Sequence, residues 1–178
     1  MKRSLVTGDK TPEFSLIGSD GMIHTLVDFK GYKGVCFCFF SLTCEMSKNA
    51  FPMFKELKQR YRSKSIAFVG VCGKEELDSF SETLTRFKAL ELGFDVLLDT
   101  TKDLSNKFGV QITPHCYIFN QSKHLIYSGR ILKDPNAAIG GENINYVSLA
   151  LEQLVGGLPI EFPSTDPIGS PIEVLASL

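Results

Sequence analysis

The chain has 178 residues, of which 43% are hydrophobic and 22% charged, so it can bury one sizeable core but is too short for a second full domain. Its 19 Lys and Arg residues against 20 Asp and Glu leave a formal charge of −1, which argues against nucleic acid or an anionic membrane surface as a partner. We therefore expect a single domain over residues 1–178, with no nucleic-acid or membrane partner.

Cysteine and histidine usage argues against a disulfide framework and against a metal site. The five cysteines are unevenly spaced and odd in number, which is typical of a reduced intracellular protein. No Cys-x-x-Cys pair or Cys/His cluster has the spacing of zinc ligands, so we expect neither a metal nor a cofactor. The segment after Arg3 is too polar for a signal peptide and no apolar run has transmembrane length, so we predict a cytoplasmic protein.

The N-terminal third of the chain predicts a β-hairpin, then a buried strand that turns into a helix. Residues 14–17 and 22–26 are short apolar segments on either side of an Asp-Gly turn signal. The apolar run over 35–40 lies between a glycine and small polar residues, as in a strand covered on both faces of a parallel sheet. Residues 47–61 carry aromatic and leucine side chains at intervals of three and four, which predicts an amphipathic helix.

The middle of the chain predicts a second strand, a second helix and a short third strand. Residues 65–72 form another apolar run, and residues 75–92 carry apolar side chains at helical spacing up to a glycine. Residues 94–99 are a third, shorter run. Strands and helices that alternate in this order indicate a parallel core with right-handed crossovers.

The C-terminal part predicts a hairpin preceded and followed by helices. Pro114 lies at the head of a strand-like run and marks a strand start or a bend, with a cis peptide bond as one option. The predicted elements are a short helix over 102–108, hairpin strands over 110–119 and 125–131, a glycine-rich loop over 133–143, a helix over 145–155 and an extended tail over 156–178.

Cys44 is the candidate nucleophile because it falls where the first core strand turns into a helix, at a sheet edge that we expect to be exposed. Unpaired backbone N–H groups and the helix dipole favour a thiolate at that place. The alternative is a buried structural cysteine. Ser47, one turn later, is either a catalytic partner that donates a hydrogen bond to the sulfur or a plain first-turn residue. Its hydroxyl cannot attack a disulfide.

The remaining cysteines differ in what their positions predict. Cys36 and Cys38 alternate with phenylalanines and share one sheet face, so we expect them in the core. Cys116 lies inside a strand and is expected to be packed. Cys72 ends a neighbouring strand, at the sheet edge where ligands bind in open parallel sheets, and is the candidate resolving thiol. His115 could act near the thiol, but a lone histidine on a strand is more often a hydrogen-bonded or solvated structural residue.

The order of elements and four short motifs resemble the redoxin branch of thioredoxin-like proteins, the alkyl hydroperoxide reductase/thiol-specific antioxidant group with its thiol-disulfide oxidoreductases. The resemblance implies an α/β thioredoxin-like fold, with a central mixed sheet flanked by helices, an N-terminal β-hairpin and an extended C-terminal tail. It also implies that Cys44 is the nucleophile and that Thr113 and Pro114 form a cis-proline loop that binds substrate backbone. The motifs are Cys44–Lys48, Phe108–Pro114, Tyr127–Ile131 and Pro167–Ile172.

The sequence departs from this family at residues that decide the mechanism. Thr43, a candidate substrate-binding residue, occupies the position at which thioredoxins often carry a tryptophan. Ser47 occupies the position at which dithiol oxidoreductases carry their second cysteine. Gly169-Ser170 stands where relatives often end in Gly-Cys. We therefore expect a monothiol oxidoreductase of the isomerase type, in which Cys44 attacks protein or glutathione disulfides and an external thiol reductant completes the cycle.

Two other functions stay open. The first is a one-cysteine antioxidant peroxidase that cycles through a sulfenic acid. Ser41 supplies a hydroxyl three residues before the cysteine, but Phe37 stands where the peroxiredoxin segment has its proline, and the sequence does not place Arg130 at the site. The second is a redoxin-fold protein that binds a partner and catalyses nothing, which is consistent with the missing resolving cysteines. We favour an enzyme.

Overall fold

The computed structural model describes residues 3–73, 79–136 and 143–172. A β-hairpin, a mixed central sheet and a short third sheet hold the strands of these residues. The strands are β1 (Ser15–Ile17), β2 (Ile23–Thr25), β3 (Gly34–Phe40), β4 (Ile66–Cys72), β5 (Val96–Leu98), β6 (Ile112–Thr113), β7 (His115–Asn120), β8 (Leu125–Gly129) and β9 (Ser170–Pro171). The α-helices are α1 (Glu45–Arg60), α2 (Phe80–Ala89), α3 (Asp103–Phe108) and α4 (Tyr146–Gly156).

The central sheet has the spatial order β5-β4-β3-β7-β8. Strand β3 pairs in parallel with β4, and β4 pairs in parallel with β5, whereas β7 is antiparallel to both β3 and β8. Every residue of β3 and β4 is buried, because helices or loops cover both faces of the sheet. The predicted central mixed sheet with a parallel half and an antiparallel half is confirmed.

Two apolar clusters lie on opposite faces of this sheet, and β3 contributes to both. Cys36 and Cys38 belong to the cluster that packs against α1 and α4. Phe37 and Phe39 belong to the other cluster, where edge-to-face and tilted ring contacts join them to Phe108 of α3 at 5.5 and 4.9 Å between ring centroids. The alternation confirms that the two cysteines lie in the core.

The helices occur where the periodicity predicts them, with shifted ends. Helix α1 begins two residues before the predicted start, at Glu45. Helix α2 is shorter than predicted, because Ser79 caps it through a capping box with Glu82. Residues 75–78 of the predicted helix lie outside the described residues. Among the described helices, none has the length and apolar content that crossing a bilayer requires.

The C-terminal tail is extended, as predicted, but it also pairs with the rest of the chain. After α4, the tail first bridges the end of β8 in parallel, at Ser128 and Ser164. It then forms β9, which pairs antiparallel with β6. Residues 137–142 of the predicted glycine-rich loop and 173–178 of the tail lie outside the described residues. The assignment of one domain with a tail from residue 156 stays a prediction.

Candidate active site

The first core strand leads directly to the thiol of Cys44. Strand β3 ends at Phe40, and Cys44 is the N-cap of α1, with extended backbone angles of −85° and 117°. Its carbonyl accepts the first helical hydrogen bond, from the Lys48 amide at 3.1 Å. The predicted position of this cysteine at a helix N-terminus is therefore confirmed, and its sulfur lies where unpaired amides favour an anion.

Hydrogen-bond donors surround the Cys44 sulfur. Burial opposes the charged form, but the hydroxyls and backbone N–H groups of Ser170 and Ser47 outweigh it, so the pKa of the Cys44 thiol is lowered from its ordinary value. The protonated thiol itself donates to the backbone carbonyl of Thr113, at 3.3 Å between sulfur and oxygen. The arrangement therefore accommodates a thiol and also stabilises a thiolate.

The expected exposure of Cys44 is wrong. Only 2% of the residue is accessible to solvent, and Ser170 of the tail is among the residues that bond to its sulfur. The edge itself is where the parallel strands end, as predicted. The chain covers it with a segment that lies far away in sequence.

Ser47 bonds both to the backbone and to the Cys44 sulfur, and its catalytic role stays a prediction. It is fully buried, and its hydroxyl oxygen accepts a hydrogen bond from the Ser41 backbone N–H at 3.2 Å, which fixes the loop between β3 and α1. The same hydroxyl donates to the Cys44 sulfur. Thr43, by contrast, is exposed, and its hydroxyl pairs with that of Ser41 at 2.9 Å. Its predicted role in substrate binding stays a prediction.

The Thr113–Pro114 peptide bond is cis, and it faces the thiol. The register of β7 against β3 pairs His115 with Phe39, which places this loop beside the end of the strand that precedes the nucleophile. Thr113 is 1% exposed, and its hydroxyl has no hydrogen-bond partner within the described part of the chain. The structure thus brings Cys44, Ser47 and the cis-proline loop together, as the resemblance implies.

Cys72 ends β4, where its backbone is the register partner of Phe40. Its thiol is buried and donates to the carbonyl of Gly73 at 3.2 Å. The structure describes all five cysteines and joins none of them in a disulfide, so the role of Cys72 as a resolving thiol stays a prediction. Cys36 and Cys116 are packed as expected, and burial raises the pKa of both thiols well above the ordinary value.

The charged and titratable side chains near Cys44 contact groups other than its sulfur in the contacts that the structure describes. Glu45 and Lys48 form an exposed ion pair at 2.6 Å, so their opposite effects on a thiolate largely cancel. The guanidinium of Arg130 lies over the ring of Tyr146, with its carbon 5.7 Å from the ring centroid. His115 is hydrogen-bonded to Ser128 at 2.9 Å and buried, and its interpretation as a structural residue stays a prediction.

A separate group of possible metal ligands occurs at the hairpin. Atoms of Asp20, His24 and Asp95 lie within 4.8 Å of one another. Asp20 and His24 already bond each other at 3.1 Å, and both aspartates are exposed. The group takes no part in the thiol site, and the expectation that the protein uses no metal stays a prediction.

Ser170 is the site residue that sequence reasoning missed as a neighbour of the nucleophile. Its partner in β6 is Thr113, and it bonds to the Cys44 sulfur through both its hydroxyl and its amide. The signal for this contact was the place of Gly169-Ser170 in the family comparison, where relatives often carry Gly-Cys. The sequence indicates only the missing thiol at this position, whereas the structure shows a hydroxyl that bonds to the nucleophile.

Comparison with known proteins agrees with this geometry. The profile of the AhpC/TSA family matches residues 7–128. The chain belongs to the AhpC/TSA family. A thiol-disulfide oxidoreductase ResA of Geobacillus thermodenitrificans is 24% identical to this AhpC/TSA chain over 135 residues, which cover 75% of each protein.

Solved structures show the fold of this AhpC/TSA protein. An uncharacterized conserved protein of Geobacillus kaustophilus superposes with a TM-score of 0.87 at 24% identity, over 97% of this chain and 94% of the other. A thioredoxin-like protein solved in its oxidized form superposes with a TM-score of 0.67 at 17% identity, over 85% of this chain and 97% of the other. The expected thioredoxin-like fold is therefore confirmed.

Proposed function

We propose that this protein is a monothiol disulfide-exchange enzyme whose nucleophile is Cys44. The observation that carries the proposal is the convergence on one sulfur of a helix N-terminus and the hydroxyls of Ser47 and Ser170, with the cis-proline loop facing it. These groups lower the pKa of the thiol, and the thiolate is the attacking species in disulfide exchange. The similarity to a thiol-disulfide oxidoreductase supports the same chemistry.

The reaction has two exchange steps. In the first, the Cys44 thiolate attacks one sulfur of a substrate disulfide, forms a mixed disulfide with it and releases the other sulfur as a thiolate. In the second, the thiolate of an external thiol attacks the substrate sulfur of the mixed disulfide and regenerates the Cys44 thiolate. A sulfur–sulfur bond breaks and another forms in each step, so no further oxidant or reductant is needed.

The surroundings of Cys44 favour exchange over net dithiol reduction. Ser47 occupies the position one turn into the helix and offers a hydroxyl, which does not attack a disulfide. Cys36, Cys38 and Cys116 lie inside the core, where burial raises the pKa of each thiol. Protein and glutathione disulfides are therefore the proposed substrates, and a small external thiol is the proposed reductant.

A peroxidase is the second candidate, and one observation favours it. The family takes its name in part from thiol-specific antioxidants, and the Ser41 hydroxyl lies in the loop just before the thiol, bonded to Thr43. In that reaction the thiolate attacks a peroxide oxygen, the alcohol leaves after taking a proton, and two thiols then reduce the sulfenic acid with loss of water. Arg130, whose guanidinium lies over Tyr146, is not seen at the sulfur among the described contacts.

The non-catalytic alternative is favoured by the burial of Cys44, because a thiol that is 2% exposed meets substrates only when something moves. The deciding experiment exposes reduced protein to glutathione disulfide or to hydrogen peroxide and maps the modified peptides by mass. We expect a glutathione adduct on Cys44 that dithiothreitol removes, and no adduct in Cys44→Ser. A sulfenic acid on Cys44 without any glutathione adduct would support the peroxidase, and an unmodified Cys44 under both treatments would support the binding protein.

A further inference from the structure

The tail crosses the candidate site as a strand. Ser170 pairs with Thr113 and Pro171 with Ile112, antiparallel, and the amide of Ile172 donates to the Gln111 carbonyl at 2.8 Å. These are main-chain contacts with the residues that immediately precede the cis-proline. The edge of β6 is therefore already paired by a segment of the same chain.

Gly169 brings the tail into direct contact with the loop that faces the nucleophile. A Cβ atom at this position would lie 1.9 Å from the Thr113 carbonyl oxygen and 3.1 Å from Cδ of Pro114. The backbone of Gly169 thus lies against the same carbonyl that accepts the Cys44 thiol. The close approach, rather than an unusual backbone angle, requires a residue without a side chain here.

The side chains on either side of Gly169 also contact the site. Ser170 contributes hydrogen bonds to the sulfur of Cys44, so this tail residue lies beside the nucleophile. Ile168 lines a small cavity of about 20 Å³ together with Met46 and Pro114. Ser170 therefore lies beside the nucleophile, and Ile168, two residues earlier, lines the cavity beside Pro114.

We propose that residues 168–171 are an intramolecular pseudosubstrate strand that closes the site until a polypeptide with a disulfide replaces it. The proposal rests on the proposed exchange function of Cys44 and specifies how that site is regulated. A replacing segment pairs with β6 in the same register and puts a cysteine sulfur at the place of the Ser170 hydroxyl. A small disulfide reaches Cys44 only when the tail leaves.

The tail is held by contacts that can open without unfolding the core. Thr165 anchors it through its hydroxyl, which bonds to the Tyr127 hydroxyl at 2.9 Å and accepts from the Arg130 amide at 3.1 Å, and through its amide, which donates to the Ser128 carbonyl at 3.0 Å. An open cleft of about 730 Å³ lies beside residues 164–167, where Ser164 and Asp166 are exposed. None of residues 163–172 is fully buried, and a segment of this kind belongs to the part of a fold that opens first.

The test compares Gly169→Ala with Gly156→Ala in the full chain. A Cβ at residue 169 displaces the strand from Thr113, whereas the nearest contact of a Cβ at residue 156 is an ordinary 3.6 Å from Leu158. Iodoacetamide alkylation of Cys44 is measured up to the pH at which its rate levels off, so that differences in pKa do not enter. We expect the plateau rate to rise about tenfold or more in Gly169→Ala and to stay at the wild-type value in Gly156→Ala.

A second variant covers the case in which Gly169→Ala fails to fold. Thr165→Val removes the anchoring hydroxyl without touching the residues around Cys44, and we expect a smaller acceleration in the same direction. A third variant, Ser170→Cys, tests the register: under air oxidation Cys44 and the introduced cysteine should form a disulfide, with loss of alkylation at Cys44 that dithiothreitol restores.

The rate of mixed-disulfide formation with glutathione disulfide is measured in the same variants. Compared with the alkylation rate, it distinguishes a failure of the strand proposal from a failure of the exchange function. Acceleration of both alkylation and mixed-disulfide formation in Gly169→Ala and Thr165→Val supports the strand proposal. Wild-type rates in both variants overturn it, and a wild-type adduct on Cys44 then leaves the exchange function intact. Fast alkylation without any mixed disulfide, even in the opened variants, overturns the exchange function and with it the pseudosubstrate role, although the tail still covers Cys44.

Discussion

The thiol of Cys44 donates a hydrogen bond to the backbone carbonyl of Thr113, at 3.3 Å between sulfur and oxygen. This carbonyl also lies against Gly169 of the tail, so one peptide group contacts the nucleophile and the strand that covers it. A carbonyl oxygen stabilises the protonated thiol, whereas the serine donors stabilise the thiolate. The protonation state of Cys44 therefore depends on which set of contacts is present.

The first prediction concerns the serine donors. Ser170→Ala removes a hydroxyl that bonds to the sulfur, so we expect the pKa of the Cys44 thiol to rise toward the ordinary value. The measurement is the pH dependence of Cys44 alkylation, with mass mapping of the modified peptide. Ser164→Ala, at an exposed tail serine, is the control and should keep the wild-type midpoint. An unchanged midpoint in Ser170→Ala would show that this hydroxyl does not act on the thiolate.

The second prediction converts the site to a dithiol. Ser47→Cys places a sulfur one helical turn after Cys44, where the native hydroxyl already bonds to it. We expect the oxidised variant to contain a disulfide between Cys44 and the introduced cysteine, and the reduced variant to reduce insulin disulfides with dithiothreitol as donor, which the wild-type chain does poorly.

A thiol titration under denaturing conditions checks the disulfide. The five native cysteines plus the introduced one give six thiols when reduced, and two should disappear on mild oxidation. Ser81→Cys is the control, because it also adds one cysteine, at the exposed start of α2. This variant should keep all six thiols after mild oxidation. Equal thiol counts in the two oxidised variants would mean that residue 47 does not reach the nucleophile.

Local patterns were sufficient to predict the sheet, the helices and the position of the nucleophile. The run over β3 and the spacing of α1 fix where the strand ends and the helix begins, and Cys44 follows from that junction alone. Helix ends were less well predicted, since α2 begins at its Ser79 cap rather than where apolar spacing starts.

The cover over the thiol could not be predicted in this way. Strands β6 and β9 are two residues each and pair across a long sequence separation, so neither has a periodicity that marks it as a strand. Gly169 is required by the nearby Thr113 carbonyl, a contact that exists only in the folded chain. This is why the exposure of Cys44 was predicted wrongly although its position was predicted correctly.

The third prediction is a loss of stability in acid that depends on His115. Burial lowers the pKa of this histidine to about 4. Between its ordinary pKa near 6.5 and 4 the unfolded chain binds a proton that the folded chain does not, so the free energy of unfolding falls as the pH falls through this window. The histidine's share of that loss is roughly 3 kcal/mol, complete below pH 4 and absent above about pH 7.

Urea unfolding from pH 7 to pH 4 measures this effect. His115→Gln keeps a polar side chain beside Ser128, but this side chain does not titrate. The free energy of unfolding of this variant should therefore depend less on pH than that of the wild type. Gln121→Ala alters an exposed, uncharged side chain and should keep the wild-type slope. Parallel curves for all three proteins would contradict the assignment to His115.

The last prediction concerns Asp99, a buried carboxylate just after β5. Its two oxygens accept hydrogen bonds from the Leu104 amide at 3.1 Å and from the amide and hydroxyl of Ser105, both at 2.7 Å. The carboxylate thus holds the first turn of α3, which carries Phe108 against the sheet. Asp99→Ala leaves these donors buried and unpaired, and should lower the free energy of unfolding by roughly 3 kcal/mol.

Asp103→Ala is the matched control, because it removes a carboxylate from the same helix that forms only a surface pair with Lys107. Its effect in urea unfolding should stay within about 0.5 kcal/mol. The pH midpoint of Cys44 alkylation should be unchanged in both variants, since neither aspartate contributes to the pKa of the thiol. A loss of equal size in the two variants would mean that Asp99 acts as a surface charge, not as the group that satisfies the first turn of α3.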